Sequence, residues 1–183
     1  MGQDATPEAA AELPLVTMLR YHLWANLRLL DACATLTPEQ LATTAEGTFG
    51  PIDRTLYHIF RAEQGYLNDL TDAEPNSPLR PDVALRYDDG FDIELLRTHA
   101  RKSAEAFMVI AANIGPGAIS VLGNPAEKTR FPVPTGLMLM QAITHGAEHR
   151  IHVAAILTHL GIEPPDWSVW AYLDEIVVPY EIE

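Results

Sequence analysis

From Pro14 to about Ala34 the apolar residues Val16, Leu19, Leu23, Leu27 and Leu30 recur every third or fourth position, which predicts an amphipathic helix. A second stretch with the same period runs from about Pro51 to Leu70 and carries Ile52, Leu56, Ile59, Phe60, Tyr66 and Leu67. A third, with Asp89 as its cap, places Phe91, Leu95, His99, Phe107 and Ile110 on one face before Asn113-Ile114-Gly115-Pro116-Gly117 stops it. The fourth and longest runs from Thr135 to a C-cap glycine at Gly161, about 36 to 39 Å at 1.5 Å per residue.

The punctuation between these stretches is equally legible. Thr37-Pro38-Glu39-Gln40 has the layout of a capping box and predicts a short helix, and the glycine-rich turn at 47–52 feeds the second long helix. Residues 71–90 hold three prolines among clustered turn formers and predict a long surface loop of the kind that lines sites. Residues 118–133 are the one strand-like piece, a loose hairpin whose pairing is limited by Pro125, Pro132 and Pro134. A final amphipathic piece carries Trp167, Trp170, Leu173, Ile176 and Val177 and ends at Pro179. Residues 1–13 read as an acidic, alanine-rich arm and 14–183 as one domain. The expected fold is all-α: an up-down four-helix bundle with long crossover loops and a small hairpin before the last long helix.

Composition narrows the partners. With 183 residues, 48% of them apolar and 20% charged, the chain can bury a sizeable core. Its 25 acidic against 12 basic residues give a net charge of -13, which repels phosphate backbones and anionic headgroups, so neither nucleic acid nor membrane is expected as a partner. The single cysteine, Cys33, excludes an internal disulfide, fits a reducing compartment and reads as a small buried hydrophobe. The start has no basic and apolar leader pattern, and no apolar run approaches the roughly 18 residues of a membrane span, so the expected location is cytoplasmic.

The candidate chemistry lies in Thr144-His145-Gly146-Ala147-Glu148-His149-Arg150-Ile151-His152. At about 100° per residue, with His145 at zero, His149 falls near 40°, His152 near -20°, Ile156 near 20° and His159 near -40°. Met138 and Gln141 continue that face toward the N-terminus, so the histidines replace apolar residues within a core seam. Imidazoles one turn apart can aim nitrogens at a common ion, and His58, set among Leu56, Ile59 and Phe60, is the natural third donor. Three neutral nitrogens with an open fourth position describe a catalytic zinc-type site, and iron or nickel would also accept imidazole.

The competing reading is a polar seam of histidines bonded to backbone or carboxylates. His152, about 10 Å up the axis from His145, reads as a partner of a ligand or a polar core residue rather than as a ligand. Glu148, near -60°, reads as a solvated surface glutamate or as a base beside the imidazoles. His22 and His99 read as structural, His159 as a partner of terminal carbonyls, and Met138 and Met140 as core.

Three blocks carry a resemblance to a known family: Tyr21 to Leu41 with its Trp24-Ala25-Asn26, Gly47 to Leu67 around His58, and Thr144 to Pro165 with its His-x-x-x-His-Arg. On these the chain resembles the DinB-like family of bacterial four-helix-bundle metalloproteins. The resemblance implies a homodimeric bundle with one divalent ion (zinc, nickel or iron) on His58, His145 and His149, open at one end. Two positions depart from the family pattern: Ile151-His152 stands where Gly-Gln is usual, and Asp166-Trp167 where Asp-Leu is usual.

About reaction the resemblance implies several things. Some members are thiol-dependent S-transferases or isomerases using bacillithiol, mycothiol or glutathione, and others are called metal-dependent hydrolases. The expectation is a metal-dependent transferase that activates a low-molecular-weight thiol against a small electrophile, with Glu148 or His152 taking the proton. The alternatives are a hydrolase that acidifies water, or a non-enzymatic metal-binding protein of the stress response.

Overall fold

Each predicted helix forms for the reason its sequence suggests. A computed structural model describes residues 13–71, 85–86, 90–124 and 129–177. The helices α1 (Pro14–Cys33), α2 (Pro38–Leu41), α3 (Ile52–Leu70) and α4 (Ile93–Asn113) precede the strands β1 (Ile119–Asn124) and β2 (Thr129–Pro134), followed by α5 (Thr135–His159) and α6 (Val169–Ile176). The described residues are thus mostly helical, with one small sheet.

Pro14 occupies the first helical position of α1, where its missing N–H removes nothing. The capping box is present: Thr37 N–H donates to Gln40 Oε1 at 2.9 Å, and Gln40 N–H donates to Thr37 Oγ1 at 3.3 Å. At the end of α5, Gly161 turns to φ 73°, Gly161 N–H reaches Thr158 O at 3.0 Å and Ile162 N–H reaches Leu157 O at 2.9 Å. These two bonds close a Schellman motif and satisfy carbonyls that the helix would otherwise leave open.

Two expectations need correction or delimiting. The cap of α4 is Asp92, whose carboxylate accepts from Glu94 N–H and Leu95 N–H at 3.0 Å each, so Phe91 precedes the helix. Asp89, the cap that the sequence suggested, lies outside the described residues, as do Pro125, Pro179, the arm at 1–12, and 72–84 and 87–89 of the expected loop. The hairpin is regular where described, pairing Ile119 with Pro134 through to Asn124 with Thr129. Pro132 and Pro134 are tolerated because a two-stranded sheet has only edge strands.

Helix α1 packs on α4 and α5, and α3 packs on α4 and α5. The interior divides into two apolar clusters. One gathers Leu29, Leu30, Leu56, Phe60, Leu96 and Ile156; the other gathers Val16, Leu19, Leu67, Phe107, Leu139 and Ile143. On each of α1, α3 and α5 the residues between the two clusters are polar and buried: His22 and Asn26, Glu63, and Arg150. A polar layer therefore crosses the interior at the level where the clusters part.

Helix α6 has no buried residue. It lies on α1 through Tyr172, whose ring is 5.1 Å from that of Trp24 and 5.8 Å from that of Tyr21, and through Glu175, which accepts from Trp24 Nε1 at 2.6 Å. Its outward side carries Val169, Trp170 and Ile176, with Trp170 75% exposed. No helix among the described residues is long and apolar enough to cross a membrane.

Candidate metal centre

One imidazole comes from α3 and two from α5, the pair of helices that pack face to face. His58 is in the second turn of α3, where Leu56, Ile59 and Phe60 turn inward and fix the helix about its axis. His145 and His149 stand one turn apart on α5, so their rings meet, edge to face, with centroids 4.4 Å apart and planes 68° from parallel. Nε2 of His58 and Nε2 of His145 approach to 3.1 Å across the helix pair. The three residues each offer a ring nitrogen, all within 4.8 Å of one another.

The separation between His58 and His145 fits an ion. With metal–nitrogen bonds near 2.0–2.1 Å, two ligand nitrogens lie about 2.9 Å apart at a right angle and about 3.3 Å apart at the tetrahedral angle. The 3.1 Å between His58 and His145 falls between them. The third ring is oriented compatibly: Nδ1 of His149 lies 3.3 Å from Nδ1 of His152, which leaves its Nε2 for an ion. Nδ1 of His145 is buried without a hydrogen-bond partner.

Electrostatics prepares the rings in the form that ligation requires. Burial, helped by the neighbouring His58 and His22, pulls His145 down to about 4. Burial, then His145, His58 and His152, pulls His149 to about 4 as well, against an opposing pull from Glu148. Burial lowers His58 also. All three are therefore neutral near pH 7, with lone pairs available.

The surroundings are aromatic. Phe49, in the glycine-rich turn before α3, stacks on His58 with centroids 4.2 Å apart and planes 22° from parallel, and meets His149 edge-on at 4.8 Å. It is nevertheless 48% exposed, so its outer face is open to solvent. Thr48 pins the turn, donating to Ala45 O at 2.7 Å and accepting from Ala45 N–H at 3.3 Å. On the other side the Tyr66 ring stands perpendicular to His145 at 5.9 Å, and Gln141 Nε2 donates to Tyr66 Oη at 3.4 Å.

The remaining candidates separate by position. His152 is half-buried against His149, at 5.2 Å between centroids. Glu148 is exposed, one residue before His149. His159 is exposed in the last turn of α5, His22 is buried on α1 against Gly146 beside His145, His99 is buried on α4, and Met138 is core while Met140 is exposed. Two residues escaped the sequence reading. Phe49 was hidden in a turn, although an aromatic between Gly47 and Gly50 beside a ligand-bearing helix was a signal. Glu63 was also missed, although it sits in the row of Leu56, Ile59, Phe60 and Leu67, where a carboxylate is out of place unless paired.

Comparisons with known proteins bear on the fold and the family. No curated protein matches the chain in sequence. The crystal structure of a DinB-like protein from Bacillus cereus ATCC 10987 superposes with a TM-score of 0.61 at 18% identity, covering 83% of this chain and 94% of that one. At that identity the likeness shows the fold. The family model for the DinB family matches residues 1–176, nearly the whole chain. The protein therefore belongs to the DinB family.

Proposed function

We propose that the protein binds one divalent ion, zinc, nickel or iron, through His58, His145 and His149, and uses it to activate a low-molecular-weight thiol for transfer to a small electrophile. The observation that carries the metal reading is the trio itself: three ring nitrogens within 4.8 Å, on two helices, held neutral by burial. The S-transfer reading rests in addition on family membership and on the accessible side of the site.

When bound, the ion supplies Lewis acidity that lowers the pKa of a thiol. The chain's own residues do the rest. Exposed Glu148 accepts the thiol proton, while His152, half-buried against His149, accepts from Nδ1–H of His149 and so orients that ring. The sulfur then forms a bond to the electrophilic carbon, and the displaced group leaves with its electron pair. Phe49 keeps water off one side of His58 and His149.

The four long helices α1, α3, α4 and α5 are read as an up-down four-helix bundle, supported by the way α1 and α3 each pack on α4 and α5. A homodimer acting on a small molecule in the cytoplasm completes the proposal, and the exposed apolar side of α6 supports the pairing of two copies.

Elemental mass spectrometry on protein purified without a histidine tag tests the metal reading. About one divalent ion per chain is expected in wild type, and none in His58→Ala or His149→Ala. With the ion identified, a panel of thiols and electrophiles separates the activities. Conjugation that needs both metal and thiol supports S-transfer. Ester or amide cleavage without thiol would replace it with hydrolysis, and metal-dependent melting with no turnover would leave a binding protein.

A further inference from the structure

Two short sequence features that the metal reading does not use meet in the interior. Asn26, of Trp24-Ala25-Asn26 on α1, accepts from Arg150 Nη1 at 2.6 Å, and Arg150 immediately follows the ligand His149. Asn26 Nδ2 donates to Glu63 Oε1 at 3.2 Å, and His22 Nε2 lies 2.8 Å from the same oxygen. Nδ1 of His22 in turn lies 3.3 Å from Arg150 Nη1. A neutral His22 with its proton on Nε2 satisfies both contacts, donating to Glu63 and accepting from Arg150. The charges of Arg150 and Glu63 are thereby linked through two neutral side chains, and all four residues are 1–2% exposed.

From this arrangement we infer that His22, Asn26, Glu63 and Arg150 form a positioning frame that sets the register and separation of α3 and α5, and through them the geometry of the three-histidine site. The inference rests on the metal reading above. Its physical basis is that the frame is tied into the backbone at the ligands. Arg150 follows His149, and Gly146 follows His145 at the point where α5 comes so close to His22 that a β-carbon on Gly146 would stand 2.4 Å from His22 Cε1.

The frame also lies between two apolar clusters. A slide of one turn along α3 or α5 would carry Glu63 or Arg150 into one of them, where a charge that has lost its buried partner is strongly destabilising. Packed apolar residues would fill the same space with equal or better stability but would tolerate neighbouring registers. A buried polar layer whose opposite charges are linked by hydrogen bonds selects one register, and ligation needs it, because ligand atoms must be held to within about 0.5 Å.

The test uses Co(II) as the probe, with Glu63→Gln and Asn26→Ser as frame variants and Phe107→Leu, in the cluster away from the frame, as a stability control. Three readouts are taken on each protein: melting of the metal-free form, Co(II) affinity, and the visible d–d spectrum of the Co(II) form. The frame variants are expected to bind Co(II) about 10- to 100-fold more weakly, as when residues supporting metal ligands are removed, and with a shifted d–d band. Phe107→Leu should melt lower yet keep the wild-type affinity and spectrum.

Frame variants that melt lower but bind Co(II) with the wild-type affinity and spectrum would overturn the inference while leaving the metal site intact. Should Asn26→Ser not fold, Glu63→Gln, which keeps the volume and an acceptor oxygen, decides the matter alone. Failure of the wild type itself to take up Co(II) would overturn the metal reading, and the frame's purpose with it.

Discussion

Gly146 and His22 are in contact so close that only a hydrogen fits between them: a β-carbon on Gly146 would lie 2.4 Å from Cε1 of His22 and 3.3 Å from Nη1 of Arg150. Gly146 has no unusual backbone angle, so the glycine is required by approach and not by conformation. Gly146→Ala must therefore displace a ring that is itself held by Glu63. We expect a loss of about 1–3 kcal/mol, the range for overpacking a close-packed interior, read as a lower denaturation midpoint in urea. An unchanged midpoint would mean that α5 can move off α1 at little cost.

The pH dependence of the metal-free protein follows from His145 and His149, both at about 4 in the fold against an ordinary value of 6.5. As pH falls below about 6.5 the unfolded chain takes up protons that the folded rings refuse, so folding loses stability progressively down to about 4. Melting temperature of the metal-free protein should drop through that window. The double variant His145→Gln with His149→Gln should flatten the drop, and an identical slope in both proteins would show that other groups govern it.

Phe49 covers two of the candidate ligands, His58 and His149, yet leaves nearly half its own surface in water. Phe49→Ala removes a stacked contact worth about 0.5–1.5 kcal/mol and opens His58 and His149 to solvent. We expect modest destabilisation and several-fold faster removal of bound metal by a chelator, followed by stopped flow. Unchanged release kinetics would make Phe49 a bystander of the turn that Thr48 holds.

Cys33 is buried among Leu29, Leu30 and Ile156, and burial pushes its thiol up to about 12. It should not react with Ellman's reagent at pH 8 in the folded protein and should react fully in denaturant. Rapid reaction of the native form would make Cys33 a candidate nucleophile.

Much of this protein is determined locally. The period of three and four in α1, α3, α4 and α5 marks a buried face on each helix, because apolar residues that recur once per turn have one side on which to hide. Thr37 with Gln40, and Gly161 after α5, mark helix ends because each carries the group that an open helix terminus needs. The His145–His149 pair is legible for the same reason, since i and i+4 share a face.

Pairings across the chain were decided only by tertiary structure. His58 is 87 positions from His145, and only the packing of α3 on α5 brings their nitrogens to 3.1 Å. The start of α4 went to Asp92 because its carboxylate reaches two open N–H groups. Glu63, His22, Asn26 and Arg150 lie on three different helices, and no spacing along the chain pairs residues across them. Their joint role exists because a buried charge must find its partner wherever the fold provides one: Glu63 on α3 and Arg150 on α5, 87 positions apart in sequence, are joined in space through Asn26, which hydrogen-bonds to both.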